Sequence, residues 1–158
     1  MGSRSLSRML IGIAAFLLFV LSAPPGGGEP RPPGIRVELD PQKPLWLHVT
    51  LWPDAQSHIT IYKSRLPWGN IHSMILVAVL PDGEALKKEL IIDDPRPAEI
   101  RLNPKESVSG EINLETLFRD LRRALKVSDV HLFWAYEAPK ELGIARWSGG
   151  WVLIPKRH

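Results

Sequence analysis

The chain has 158 residues with 15 prolines, 12 glycines and no cysteine, and its 20 basic and 17 acidic residues give a formal charge of +3. The missing cysteine excludes disulfides, a thiol nucleophile, a Cys-ligated metal and a lipobox for lipid attachment. Arg4 and Arg8 lie in a 23-residue leader without acid, so the remainder carries only +1, whereas a nucleic-acid binder concentrates Lys and Arg on one face.

Those two arginines precede an apolar run over residues 9–21. A helix of that length rises about 20 Å, short of the roughly 30 Å that a membrane span must cross. The order of basic, apolar and small residues predicts an export signal over residues 1–23. Cleavage after Ala23 or near Gly28 would release the protein. If neither site is cut, residues 9–23 stay as a short signal anchor, the one part of the chain expected to meet a membrane. Residues 24–34 hold five prolines and four glycines, a composition that cannot form a core and predicts a linker.

From residue 35 to 158 the apolar pattern becomes that of strands. Ile35, Val37 and Leu39 alternate with Arg36, Glu38 and Asp40, and Leu45, Leu47, Val49 and Leu51 form the next inward row. Pro53-Asp54 predicts a turn, and Ile59 and Ile61 a third strand. Residues 72–80 are almost continuously apolar, as in a strand covered on both faces. Pro81-Asp82-Gly83 ends that strand, and residues 84–92 are expected to return antiparallel. Ala98, Ile100 and Leu102, then Val108, Gly110 and Ile112, mark two more strands.

Leu114, Leu117, Phe118, Leu121 and Leu125 recur at helical spacing, with Asn113 as N-cap and Glu115 in the first turn, predicting one helix. Its cluster of Arg119, Arg122, Arg123 and Lys126 lies beside Glu115 and Asp120, which reads as a solvated face. Val130, Leu132, Trp134 and Tyr136 resume the alternation, with Trp134 expected in the core. A last strand over residues 145–154 contains Gly149-Gly150, read as a bulge or bend. The whole predicts an all-β immunoglobulin-like β-sandwich with one short helix, preceded by the N-terminal signal or anchor helix.

Four runs, taken in order, carry a resemblance. They are Leu47-His48-Val49-Thr50-Leu51, Ser64-Arg65-Leu66-Pro67-Trp68, Pro81-Asp82-Gly83, and the stretch from Ile100 through Asn103-Pro104-Lys105-Glu106-Ser107 to Leu114. In order and spacing the chain resembles, over about residues 35–137, the immunoglobulin-like accessory domain found beside deuterolysin-type metalloproteases. That family usually has glycine where this chain has Lys105. The catalytic His-Glu-x-x-His motif is missing, so the resemblance implies a fold and an extracytoplasmic setting, not proteolysis. On the residues alone, Pro104 fixes a turn between two strands and Glu106 or Ser107 can hydrogen-bond its open backbone groups.

No motif points to an enzyme. Trp147-Ser148-Gly149-Gly150 lacks the first glycine of a nucleophile elbow, and phosphate loops and dinucleotide fingerprints are absent. Asp93 and Asp94 point apart on an extended chain. Together with His72 they remain the weak candidates for a site that converges only in the fold. Zinc takes at least three protein ligands, and His48 and His58 without a carboxylate nearby fall short; His72, His131 and His158 lie elsewhere. No cofactor or metal is expected.

The aromatic residues form the most distinctive constellation. If Leu45, Leu47, Val49 and Leu51 point inward, Trp46, His48, Thr50 and Trp52 share the opposite face. His58, Thr60 and Tyr62 are the outward set of the following strand. Paired strands would join them into one patch; strands in different sheets would split it. Trp46, His48, Trp52 and Tyr62 are therefore the candidate ligand-binding residues, suited to a protein or a sugar. The alternative is that the helix, the linker or the strand with Trp147 and Trp151 covers them. The expected function is that of an exported, non-enzymatic module, periplasmic or extracellular, binding a protein partner through a sheet face or an open strand edge. A carbohydrate-binding domain is the alternative.

Overall fold

Alternation of apolar and polar side chains becomes eight strands in a computed structural model of the protein, which describes residues 32–89 and 98–157. In chain order these are β1 (Gly34–Leu39), β2 (Trp46–Trp52), β3 (Ile59–Tyr62), β4 (Met74–Val79), β5 (Glu99–Leu102), β6 (Val108–Asn113), β7 (Val130–Glu137) and β8 (Trp147–Ile154). Two helices, α1 (Leu114–Leu117) and α2 (Leu121–Leu125), lie between β6 and β7. The fold is all-β. The expected leader, most of the linker, Asp93, Asp94 and His158 lie outside the described residues.

All pairings between strands are antiparallel: one sheet runs β1-β2-β6, another β4-β7-β8, and β3 pairs with β5 alone. Leu45, Leu47, Val49 and Leu51 are buried as expected, and they share one core with Met74, Leu76 and Ala78 of β4 and with Val130, Leu132 and Tyr136 of β7. Trp134 is half-buried against that core. Tyr136 is the largest fully buried side chain, and its hydroxyl donates to the Arg65 carbonyl at 2.9 Å.

Four expectations need correction. The predicted single helix is two, broken at Phe118, whose backbone is extended. At the break the Leu117 carbonyl, which would accept from Leu121 in a continuous helix, is satisfied instead by the Glu89 N–H at 2.8 Å. Leu121 donates instead to Phe118, at 3.0 Å. All five apolar side chains of the stretch are still buried, and Asn113 caps α1 through the Glu115 N–H at 2.9 Å. Its arginines are matched by acids: Arg119 pairs with Glu89, Arg122 with Glu115 and Arg123 with Asp120.

The return after Gly83 is also shorter than expected. It makes one bridge, Val79 to Ala85, and a Leu86 N–H bond to the Ala78 carbonyl, with no strand through residue 89. Gly149-Gly150 forms no bulge, since the β7–β8 register is unbroken from Val130–Ile154 to Glu137–Trp147. Gly150 instead leaves room for the Trp134 indole, which a Cβ would meet at 3.1 Å. Finally, β4 is covered on one face only; Ile75 and Val77 are exposed.

Between β5 and β6, Glu106 N–H donates to the Asn103 carbonyl at 3.2 Å across the Pro104-Lys105 turn. The Glu106 carboxylate in turn accepts from the Asn103 amide side chain at 2.6 Å and backbone N–H at 3.3 Å. Lys105 sits at φ 61°, the left-handed region that costs a side chain with a Cβ roughly 1–2 kcal/mol. Replacing Lys105 with glycine is expected to raise stability by about 0.5 kcal/mol, because relief of that cost outweighs the entropy glycine adds to the unfolded chain. A urea titration would show it as a higher midpoint with an unchanged slope.

Candidate interaction face

The sequence-predicted residues separate. Trp46, His48, Thr50 and Trp52 lie together on the outward face of β1-β2-β6, all half-buried. Tyr62 is exposed but belongs to β3, which pairs with β5 and not with β2. The aromatic patch is therefore split.

What remains on the first sheet is mostly polar and internally satisfied. Asp40 Oδ1 accepts from the Gln42 and Lys43 N–H groups at 2.7 and 3.0 Å, bonds that hold its carboxyl below the usual carboxylate range. The turn so formed places the Lys43 ammonium 5.1 Å from the Trp46 ring centroid and 2.7 Å from a Glu111 carboxylate oxygen. The hydrogen bond to Glu111 raises the Lys43 pKa. Trp46 thus has a cation over its ring. His48 stands between Glu38 and Glu111 in register, Arg36 pairs with Glu38 at 2.8 Å, and Thr50 bonds Ser109 at 3.0 Å. Trp52 borders a hollow that Pro32, Pro33 and Gly34 also line. His58 and His72 are exposed on separate segments, and no group of three or more His, Asp or Glu among the described residues is arranged to hold a metal ion.

The outward face of β4-β7-β8 has the opposite character. Strand alternation puts Ile75 and Val77 of β4, His131, Phe133 and Ala135 of β7, and Trp147, Gly149, Trp151 and Leu153 of β8 on one surface. Cross-strand register makes it continuous, because Val77 lies beside Phe133 and Phe133 beside Trp151, while Ile75 lies beside Ala135 and Ala135 beside Gly149. Ile75, Val77, Phe133, Trp147, Trp151 and Leu153 are each exposed by 41–60%. His131 packs against Trp151 with ring centroids 5.7 Å apart. The charged residue at the end of this surface, Glu137, is paired with Arg146 at 2.9 Å.

A depression of about 390 Å³ opens at the Ile75–Ala135 end, bordered by Trp147, His72, Arg65 and Glu137. A separate, almost wholly apolar cavity of about 170 Å³ lies between β4, β6 and α1, with Trp68, Ile71, Met74, Leu76, Ile112 and Leu117 in its wall. Trp68 lies flat on Gly110 of β6.

The exposed face was visible in the sequence as an excess. Residues 74–79 and 151–154 are apolar on both strand rows; for residues 72–80, reading both rows as covered assumes a second layer that the described residues do not supply. Trp147 and Trp151 do not cover Trp46, Trp52 or Tyr62; they stand on the other sheet and face outward. No protein-family model matches this chain, and a search of the curated proteins finds no match.

Proposed function

We propose that the protein is an exported, non-enzymatic binding module, an immunoglobulin-like β-sandwich that engages a protein partner through the outward face of β4-β7-β8. The observation that carries this reading is the contiguous surface of Ile75, Val77, Phe133, Trp151 and Leu153, an apolar patch at the upper end of what a soluble monomer leaves uncovered and of the kind that marks an interaction site. Two three-stranded antiparallel sheets sharing one core support the sandwich. Arg4, Arg8 and the apolar residues 9–21 support export, with release after cleavage or tethering through residues 9–23.

Trp147 and Trp151 on one strand face favour carbohydrate as a second reading. Sugar platforms need hydrogen-bonding groups among their rings; Arg65, His72 and Glu137 stand at the Trp147 end alone, and the positions between the two indoles are Gly149 and Ala135. Protein fits better. A photo-crosslinker placed at position 133 in intact cells is expected to give a discrete protein adduct, and one at the exposed Thr60 of β3 to give none. Loss of the adduct at 133 would refute the reading. A saturable change in tryptophan fluorescence on adding polysaccharide, abolished by Trp147→Ala with Trp151→Ala, would replace it with the carbohydrate one.

A further inference from the structure

The exposed face carries a shape as well as a composition. Val77, Phe133 and Trp151 lie side by side across the three strands as a ridge of bulky side chains. Two residues along, about 7 Å away at strand spacing, Ile75, Ala135 and Gly149 form a parallel line that falls from one aliphatic side chain to almost none. Ridge and trough are neighbours on one surface. Gly149 is the extreme case, with the nearest atoms to an added Cβ being the Trp134 carbonyl at 3.1 Å and the Ala135 Cβ at 3.8 Å.

We propose that the protein forms a two-fold homodimer through this face, with Phe133 and Trp151 of each copy seated over Ala135 and Gly149 of the other. A two-fold axis in the plane of contact, parallel to the two lines and midway between them, exchanges ridge for trough in a single operation. Bulky residues then meet small ones at matched positions along the axis. Area supports the same occupant. Six half-exposed large side chains present on the order of 600 Å² of apolar surface, so two faces bury roughly 1,200 Å², at the lower edge of a standard stable interface. Like faces also meet without repulsion, since the centre holds no charge and Glu137 at the end is already matched by Arg146. The inference rests on the reading of this face as a protein-binding surface and names its partner as a second copy of this chain.

Sedimentation equilibrium of the full chain, from about 1 to 100 μM, tests it. Dimers are expected within that range. Phe133→Thr with Trp151→Thr keeps strand propensity and is expected to raise the dissociation constant at least about a hundredfold, with an unchanged far-ultraviolet circular dichroism spectrum. Ala135→Leu adds apolar surface but fills the trough, so it too is expected to weaken association, by about tenfold or more. A general adhesive surface would respond in the opposite sense. A monomer at 100 μM, association indifferent to the threonine pair, or stronger association of the leucine variant would each overturn the proposal. If the chain is monomeric while the crosslinker at position 133 captures a different protein, the dimer falls and the binding module stands.

Discussion

Tyr136→Ala is expected to cost the protein about 4 kcal/mol, in the range seen for truncating a large buried aromatic side chain and a substantial part of the 5–15 kcal/mol that holds a typical domain together. The residue is fully buried where β7 crosses the core, and its hydroxyl ties the sheet to the Arg65 carbonyl in the turn after β3. Tyr136→Phe separates the two contributions. It keeps the ring and loses the bond, for an expected cost of about 1–2 kcal/mol including the unsatisfied carbonyl. Burial raises the pKa of this hydroxyl in the folded state, whereas the unfolded phenol ionises near pH 10. The proton-bound form is therefore favoured by folding: the contribution is present in full below about pH 10 and declines as pH rises further. Urea midpoints measured at pH 8, 10 and 11 should fall more steeply for the native chain than for Tyr136→Phe. Parallel falls would show that another group governs the alkaline loss.

Gly110→Val is expected to be nearly as damaging, at about 3 kcal/mol, because an added side chain would occupy the space of the Trp68 ring. Glycine is required here for a close approach, not for an unusual backbone angle. Expelling Trp68 would also open the apolar cavity it shares with Met74, Leu76 and Ile112. A double-mutant cycle isolates the cause: in a Trp68→Leu chain the same substitution is expected to cost less than about 1 kcal/mol, the difference being the coupling between the two sites. Equal costs in both backgrounds would place the clash elsewhere.

These two residues also mark where the sequence was readable and where it was not. The strands were legible because one-sided burial imposes a period of two, and Leu47, Val49 and Leu51 are buried in the predicted order. Periodicity identifies which side chains share a face. It does not say what covers that face, so the doubly apolar run of β4 read as an interior strand although Ile75 and Val77 stand exposed. The break between α1 and α2 was invisible for a related reason, since the group that captures the Leu117 carbonyl comes from Glu89, far away in sequence. Trp46, His48 and Trp52 were legible as neighbours on one strand. Whether Tyr62 joined them depended on the non-local choice of β5 over β2 as the partner of β3. From the sequence Gly110 reads only as one position of a strand, and nothing in its own neighbourhood announces the indole that lies on it.

In the sandwich proposed above the two outward faces lie on opposite sides, and their contrast makes a single copy of the chain a solid amphiphile. Arg36–Glu38, Lys43–Glu111 and Thr50–Ser109 dress one side with satisfied polar pairs, while indoles and aliphatic chains dress the other. At any boundary between water and a less polar phase, whether an air bubble or a methylated chip, burial of the oily side sets the orientation before any specific contact forms. An adsorbed layer would therefore be polarised, each molecule lying the same way up with the ion-paired sheet turned to the solvent.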